Sequence, residues 1–259
     1  MRSDFDPRCG LHAVTLNLGG LRASLRKGLM VWLEKVRPDV VLLQEVRAEP
    51  SENPFSDLGY TAHFVSAQKA GYSGVGILSL EKPIDVISGL GMPSLDSEGR
   101  VLRAQFPGYS VVSIYAPSGT SGPERQRVKL VFLEALYSYT HDLLKHHEVL
   151  VGGDYNIART DLDLKNWRGN KNRPGCTSEE RNWFEGYLRL GLTDAHRALL
   201  DGASEYTWWS QRGQAYFRDT GWRIDYQLCT SRFVPLQHRV WREACLSDHA
   251  PLGIVYGFS

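Results

Sequence analysis

Three short strings place acids among residues that end strands and open turns: Gly-Gly-Asp-Tyr-Asn-Ile-Ala (152–158), Gly-Trp-Arg-Ile-Asp-Tyr (221–226) and Ser-Asp-His-Ala-Pro-Leu (247–252). They supply an Asp-x-Asn pair, a lone Asp and an Asp-His pair. Such a set can activate water beside a metal-bound phosphate, with carboxylates serving as base and cation ligands. Asp154 and Asn156 flank Tyr155, so in an extended segment they share one face. One acid beside one amide orients a water and holds a phosphate oxygen without adding a second repelling charge, although the same string also suits an Asx turn. His249, paired with a distant carboxylate for which Asp225 is the candidate, would be held in one tautomer. Glu45 closes the apolar run Val40–Gln44. A carboxylate at the mouth of a buried strand is costly unless it is hydrated, paired or bound to a cation.

The elements that must position these groups alternate in type. Strands are expected over 13–18, 40–44, 75–80, 101–106, 110–115, 149–152, 224–230 and 252–256. Apolar residues at helical spacing fall over 22–36, 123–145 and 178–190, with Thr177 as N-cap and Glu180 as its capping-box partner. The pattern is α/β with mixed sheets. Asn17, Glu45, Tyr115, Asp154 and Asn156 all stand at or just past strand ends, which in layered α/β folds converge at one rim.

Composition narrows the classes. The 259 residues can bury a large core, and no linker or low-complexity run divides them. The apolar runs are strand-sized, far below the ~20 residues of a membrane span, so no membrane is expected as a partner. The opening residues lack the apolar core of a signal peptide, which makes a cytoplasmic, intracellular location the expectation. Cys9, Cys176, Cys229 and Cys245 are too scattered for a disulfide framework or a zinc knuckle. Thirty Lys and Arg against 29 acids give a formal charge of +1, so any grip on a polyanion is local. Arg159, Lys165, Arg168, Lys171 and Arg173 form one such cluster, or a solvated loop. Trp208, Trp209 and Trp222, interleaved with Arg212, Arg218 and Arg223, suit either a core or stacking on sugar and base.

With these residues in hand, the chain resembles the exonuclease III type apurinic/apyrimidinic endonucleases of the endonuclease/exonuclease/phosphatase superfamily. The likeness runs in order from Leu11 to Tyr256: Thr-Leu-Asn-Leu-Gly-Gly-Leu-Arg (15–22), Leu-Gln-Glu-Val-Arg (43–47), Gly-Tyr-Ser-Gly-Val-Gly (71–76), Glu-Gly-Arg (98–100), Ile-Tyr-Ala-Pro-Ser-Gly (114–119), Asp-Leu-Lys-Asn-Trp-Arg-Gly-Asn (163–170) and Tyr-Thr-Trp-Trp (206–209), besides the three acid strings. It implies a four-layer α/β sandwich, two mixed sheets packed face to face and flanked by helices. An extension over 1–10 would precede a single catalytic domain over 11–259.

The resemblance also implies Mg²⁺ or Mn²⁺, and cleavage of double-stranded DNA 5′ to an abasic site to leave a 3′-hydroxyl, with removal of blocked 3′ ends. By position, Glu45, Asp248 and Asn17 match the metal shell, and Asp154 the residue that orients or deprotonates the attacking water. Asn156 and Tyr115 match groups that hold the scissile phosphate, and Asp225 the partner of the phosphate-binding His249. Trp208, Trp222 and Ile224 match the wall of an abasic-sugar pocket. Arg212 and the loop 118–124 match elements that enter the duplex, and Tyr72, Arg100 and Asn170 match backbone contacts. The chain departs from the pattern at Gly19, Arg173 and Cys176, while Gly175 leaves room for a strand to pass. A monomer is expected. The alternatives are another phosphoester substrate, a 3′-end processing enzyme with little endonuclease activity, and a catalytically weakened DNA-binding paralogue.

Overall fold

The computed structural model describes residues 6, 10–48, 50 and 52–259; Cys9 and nearly all of the expected 1–10 extension lie outside them. In chain order the strands are β1 (Leu11–Asn17), β2 (Val40–Gln44), β3 (Thr61–Val65), β4 (Val75–Ser79), β5 (Asp85–Ser88), β6 (Val101–Phe106), β7 (Tyr109–Tyr115), β8 (Val149–Asp154), β9 (Thr193–Asp194), β10 (Trp208–Trp209), β11 (Gly221–Trp222), β12 (Asp225–Cys229), β13 (Phe233–Val240) and β14 (Leu252–Phe258). The helices are α1 (Leu21–Arg26), α2 (Leu29–Val36), α3 (Pro93–Asp96), α4 (Pro123–Leu143), α5 (Trp167–Asn170), α6 (Ser178–Leu188) and α7 (Ala195–Leu199). The strands form two six-stranded sheets, ordered β13-β14-β1-β2-β4-β3 and β5-β6-β7-β8-β12-β9, and a small β10-β11 pair. Each large sheet is mixed: β1–β2 and β7–β8 run parallel, and their other neighbours antiparallel.

The period-2 alternation of strand side chains builds the layers. On the inner side, Ala13, Val40, Leu42, Val111, Leu150 and Ile254 meet between the sheets. On the outer sides, Val14, Leu16, Val41 and Leu43 pack with Leu29 and Leu33 of α2, while Val112, Ile114, Val149 and Val151 pack with Phe132 and Leu136 of α4 and Phe184 of α6. Strands buried on both faces need apolar residues at every position, which is why 40–43 and 149–151 are unbroken runs. The result is helix, sheet, sheet, helix, the expected four-layer sandwich. At Gly152 the sheets approach so closely that a Cβ would lie 2.5 Å from Leu42 Cδ1.

Two expectations change. The helix over 22–36 is broken at Gly28, whose φ of 95° is left-handed and favours glycine, giving α1 and α2. Strands β3, β5 and β13 were not legible: they are sheet edges whose residues are mostly half-buried or exposed, so no alternation of buried apolar and exposed polar residues marks them. In β13, Pro235 and a register shift before Gln237 mark an edge bulge.

Candidate active site

The topology brings one set of strand ends together. The parallel strands β1 and β2 end at Asn17 and Gln44, and β7 and β8 end side by side with Tyr115 in register with Asp154. Strand β12 runs the opposite way from β8, so its first residue, Asp225, faces Asp154. The turn before β14 delivers Asp248 and His249 to the same rim. There they line a cleft of about 560 Å³ with Glu45, Tyr115, Asp154, Asn156, Asn170, Arg173, Trp208, Trp222 and Ile224.

Asn17 organises the acids. Its Oδ1 accepts from the Gly19 backbone N–H at 3.0 Å, which fixes the amide so that Nδ2 faces Glu45 Oε1 (3.0 Å) and Asp154 Oδ2 (2.9 Å). Glu45 has a left-handed backbone (φ 49°) just past β2 and also pairs with Arg47. Gly19 is left-handed too (φ 56°), and a Cβ there would lie 3.8 Å from Asp248 Oδ1. The position lacking a polar side chain therefore borders the carboxylates.

His249 Nδ1 lies 2.9 Å from Asp225 Oδ2, and Asp225 also accepts from Thr207 Oγ1 at 2.6 Å. Burial opposes charge on His249, but the Asp225 carboxylate outweighs it and holds the imidazole well above its ordinary range, so the ring is protonated at neutral pH. The other nitrogen, Nε2, is 3.9 Å from Asp154 Oδ2. Burial, with Asp225 and Glu45 nearby, raises Asp154 despite the opposing His249 charge. Burial likewise lifts the Tyr115 phenol, aided by Glu45 and Asp154, which keeps it a neutral donor.

Asn156 lies two residues past Asp154 in a left-handed turn (φ 53°), and Tyr155 between them is wholly buried against Phe184 and Tyr226. The expected sharing of a face thus arises from a strand end followed by an αL turn. The Asn156 backbone N–H donates to Asp154 Oδ1 at 2.8 Å, and Nδ2 donates to the Ala116 carbonyl at 2.9 Å.

The carboxylates crowded at this rim fit a divalent cation: Asp154 and Asp225 have oxygens within 4.8 Å of each other, Glu45 and Asp248 line the same cleft, and Asn17 turns its amide N–H toward Glu45 and Asp154. Burial raises Asp154 most, with Asp225 and Glu45 adding repulsion, and a cation relieves both. An oxygen-rich set suits a hard ion.

Trp208 and Trp222 pair across β10–β11 with rings edge to face, 6.3 Å apart, and wall the cleft with Ile224. Trp209 points away into a small core with Tyr206 and Ala215. Arg100 is turned inward: its guanidinium donates to the Tyr115 carbonyl (2.9 Å) and to Tyr72 Oη (3.1 Å), pairs with Glu98 and lies over the Tyr115 ring. A residue expected at a DNA backbone therefore braces Tyr115, because Glu98 and the ring satisfy its charge inside the fold. Arg212 is exposed outside the cleft lining. In the basic cluster Arg159 is tied to Glu185, while Lys165, Arg168, Lys171 and Arg173 face solvent. The Cys176 thiol, buried within the 170–177 loop, donates to the Asn170 carbonyl.

Residues 14–249 match the sequence profile described as the Endonuclease/Exonuclease/phosphatase family. The chain belongs to this family. It is similar to an exodeoxyribonuclease of Bacillus subtilis, 33% identical over 93% of this chain and 98% of the relative. It is also 34% identical to the zebrafish (Danio rerio) DNA repair nuclease APEX1, over 91% of this chain and 79% of that one. Among solved structures, a 3′ phosphatase from Neisseria bound to a product DNA hairpin superposes with TM-score 0.89 at 28% identity, covering 96% of this chain and all of the other. An AP endonuclease from Archaeoglobus fulgidus gives 0.86 at 31% identity, covering 95% and 99%. Family membership makes the chain a nuclease-type hydrolase.

Two residues that support this family member's site escaped sequence reasoning. Lys129 of α4 has a fully buried side chain, donating Nζ to the Asn156 carbonyl (2.8 Å) and to Glu180. Glu180 is the expected capping-box partner of Thr177 and also accepts from the Gly175 N–H at 2.8 Å. The pair thereby pins both the Asn156 turn and the loop facing Trp222. Thr207, the other, holds Asp225. A lysine within an amphipathic helix carries no sequence signal for burial; Thr207 stood beside the tryptophans that attracted attention.

Proposed function

We propose that the chain is a metal-dependent DNA repair phosphodiesterase that incises the backbone 5′ to abasic sites, leaving a 3′-hydroxyl, and also clears blocked 3′ ends. The observation that carries this is the meeting of the Asp154–Asn156 pair and His249, backed by the buried Asp225, in one cleft walled by Trp208, Trp222 and Ile224. An apolar wall favours a nucleotide without its base, because extruding it forfeits little stacking or pairing.

Glu45 and Asp248 would hold the ion, Mg²⁺ or Mn²⁺, with Asn17 orienting Glu45 through its amide N–H, and the ion when bound would neutralise charge growing on the phosphate and leaving oxygen. Asp154, raised by burial and neighbouring carboxylates, is suited to take a proton from water near neutral pH. The protonated His249 donates Nε2–H to a phosphate oxygen, while Asp225, itself held by Thr207, fixes the orientation of the ring. Tyr115 Oη and Asn156 Nδ2 are neutral donors for the same phosphate. These fixed dipoles act in a partly dry cleft, where such donors are worth most. Tyr72, Asn170, Arg173 and the more distant Arg212 offer contacts to the flanking strand, and Arg100 acts through Tyr115.

A 3′-end processing reading is favoured separately by the superposition on the Neisseria 3′ phosphatase. Incubating an end-labelled duplex carrying one stable abasic analogue, and a nicked duplex with a 3′-phosphate, separates the two. Metal-dependent cutting 5′ to the analogue, stopped by EDTA and by Asp154→Ala, is the expected result. Action on the 3′-phosphate alone would establish the second reading, and inactivity on both would overturn each.

A further inference from the structure

We propose that His196, Glu205 and His238 form a second metal site, separate from the acid-rich cleft, that takes a borderline transition ion such as Zn²⁺. His196 lies in α7, which follows the edge strand β9 of one sheet, and His238 lies in β13, the edge strand of the other. Glu205 stands between them in the segment that leads to β10. Both imidazole Nε2 atoms converge on one oxygen: His196 at 2.8 Å and His238 at 3.2 Å from Glu205 Oε2. All three ligand atoms lie within 4.8 Å of one another, and none of the residues lines the catalytic cleft.

Two imidazoles and one carboxylate are a zinc-type donor set, with a fourth position left for water. Bonds of ~2.1 Å at a tetrahedral angle put ligands roughly 3.4 Å apart, so Glu205 must retreat only slightly. Its side chain is 33% exposed and His238 is 24% exposed, which gives that freedom and an entry path. The His196 ring is fully buried, and its Nδ1 has no hydrogen-bond partner. Its proton can therefore sit on Nδ1, leaving the Nε2 lone pair to the ion without breaking a second bond. The charged neighbour Arg223 is already paired with Asp163 and Asp194, so its charge does not stand unopposed beside the site.

The placement gives the ion a role. Glu205 is two residues before Thr207, which holds Asp225, and three before Trp208, which walls the cleft. An ion at this triad ties helix α7 and the edge strand β13 to the segment that steadies the His249 partner, independently of how the cleft uses that pair.

The test is titration of the intact protein with Co²⁺, and separately with Zn²⁺, in excess Mg²⁺ to cover the hard-ion carboxylates, followed by visible absorption and thermal melting. Wild type and the cleft variant Asp154→Asn should each bind one equivalent and melt higher; His238→Ala and Glu205→Gln should lose that equivalent and the melting shift. Binding by His238→Ala equal to wild type overturns the site. If either ligand variant fails to fold, wild type is treated with diethyl pyrocarbonate: Zn²⁺ should protect His238 from modification, and unchanged modification overturns the proposal equally.

Discussion

Trp208 Nε1 donates to Asp248 Oδ2 at 3.0 Å, so a residue in the wall of the cleft also orients a carboxylate proposed to hold the metal. The two functions separate in Trp208→Phe, which keeps an aromatic wall and removes the N–H. Loss of an outer hydrogen bond to a metal ligand typically costs about 10- to 100-fold in metal affinity. The variant should need roughly that much more Mg²⁺ for half-maximal cleavage while recovering most of its turnover at saturation. An unchanged Mg²⁺ dependence would show that the bond does not tune Asp248.

The Asp225–His249 contact makes a distinct prediction in pH. Asp225 does most to raise His249 against the opposing effect of burial, and the protonated ring is the form proposed to serve a phosphate oxygen. In Asp225→Asn the carboxylate charge is gone, so the imidazole loses its proton at lower pH. The alkaline limb of kcat/KM should shift toward acid, and the rate at neutral pH should fall by about 10²- to 10³-fold, the usual cost of a lost charge-stabilising donor. A limb that stays in place would assign it to another group.

Gly175 is constrained from two sides. Its φ is +94°, and a Cβ would stand 3.1 Å from the Asn156 carbonyl and 3.2 Å from the Trp222 ring. Gly175→Ala should therefore cost about 1 kcal/mol or more of stability, seen as a lower urea midpoint. It should also raise KM for an abasic duplex by displacing the Trp222 wall. Gly175→His carries the same strain with a larger intrusion, and abasic-site cleavage unchanged in that variant would show that the position does not gate access.

How much was legible follows from where each residue sits. The doubly buried strands β2 and β8 announced themselves as unbroken apolar runs, and Glu45 and Asp154 stood out as acids at their ends. Convergence of those ends needs the two parallel pairs β1–β2 and β7–β8, which no local pattern encodes; the order of the family-like motifs supplied it. The inward contacts of Arg100 were not legible because a sequence does not reveal that Glu98 and the Tyr115 ring satisfy a guanidinium inside the fold. Lys129 was missed for the related reason that its partner, Glu180, lies 51 residues away.

His12 offers a test of the fold apart from the site. It lies on the outer face of β1 beside Trp241, almost wholly buried, and burial lowers its pKa to about 4. In the unfolded chain it titrates near ~6.5, so between these values the unfolded state binds more protons. The contribution of a neutral His12 is thus complete above pH ~6.5 and is lost as pH falls toward 4, a change of about 3 kcal/mol. His12→Phe keeps an aromatic ring and removes the titration. Chemical denaturation of both proteins across this window should show wild type losing about that much stability relative to the variant on acidification. A difference that is flat in pH would mean that His12 is protonated within the fold.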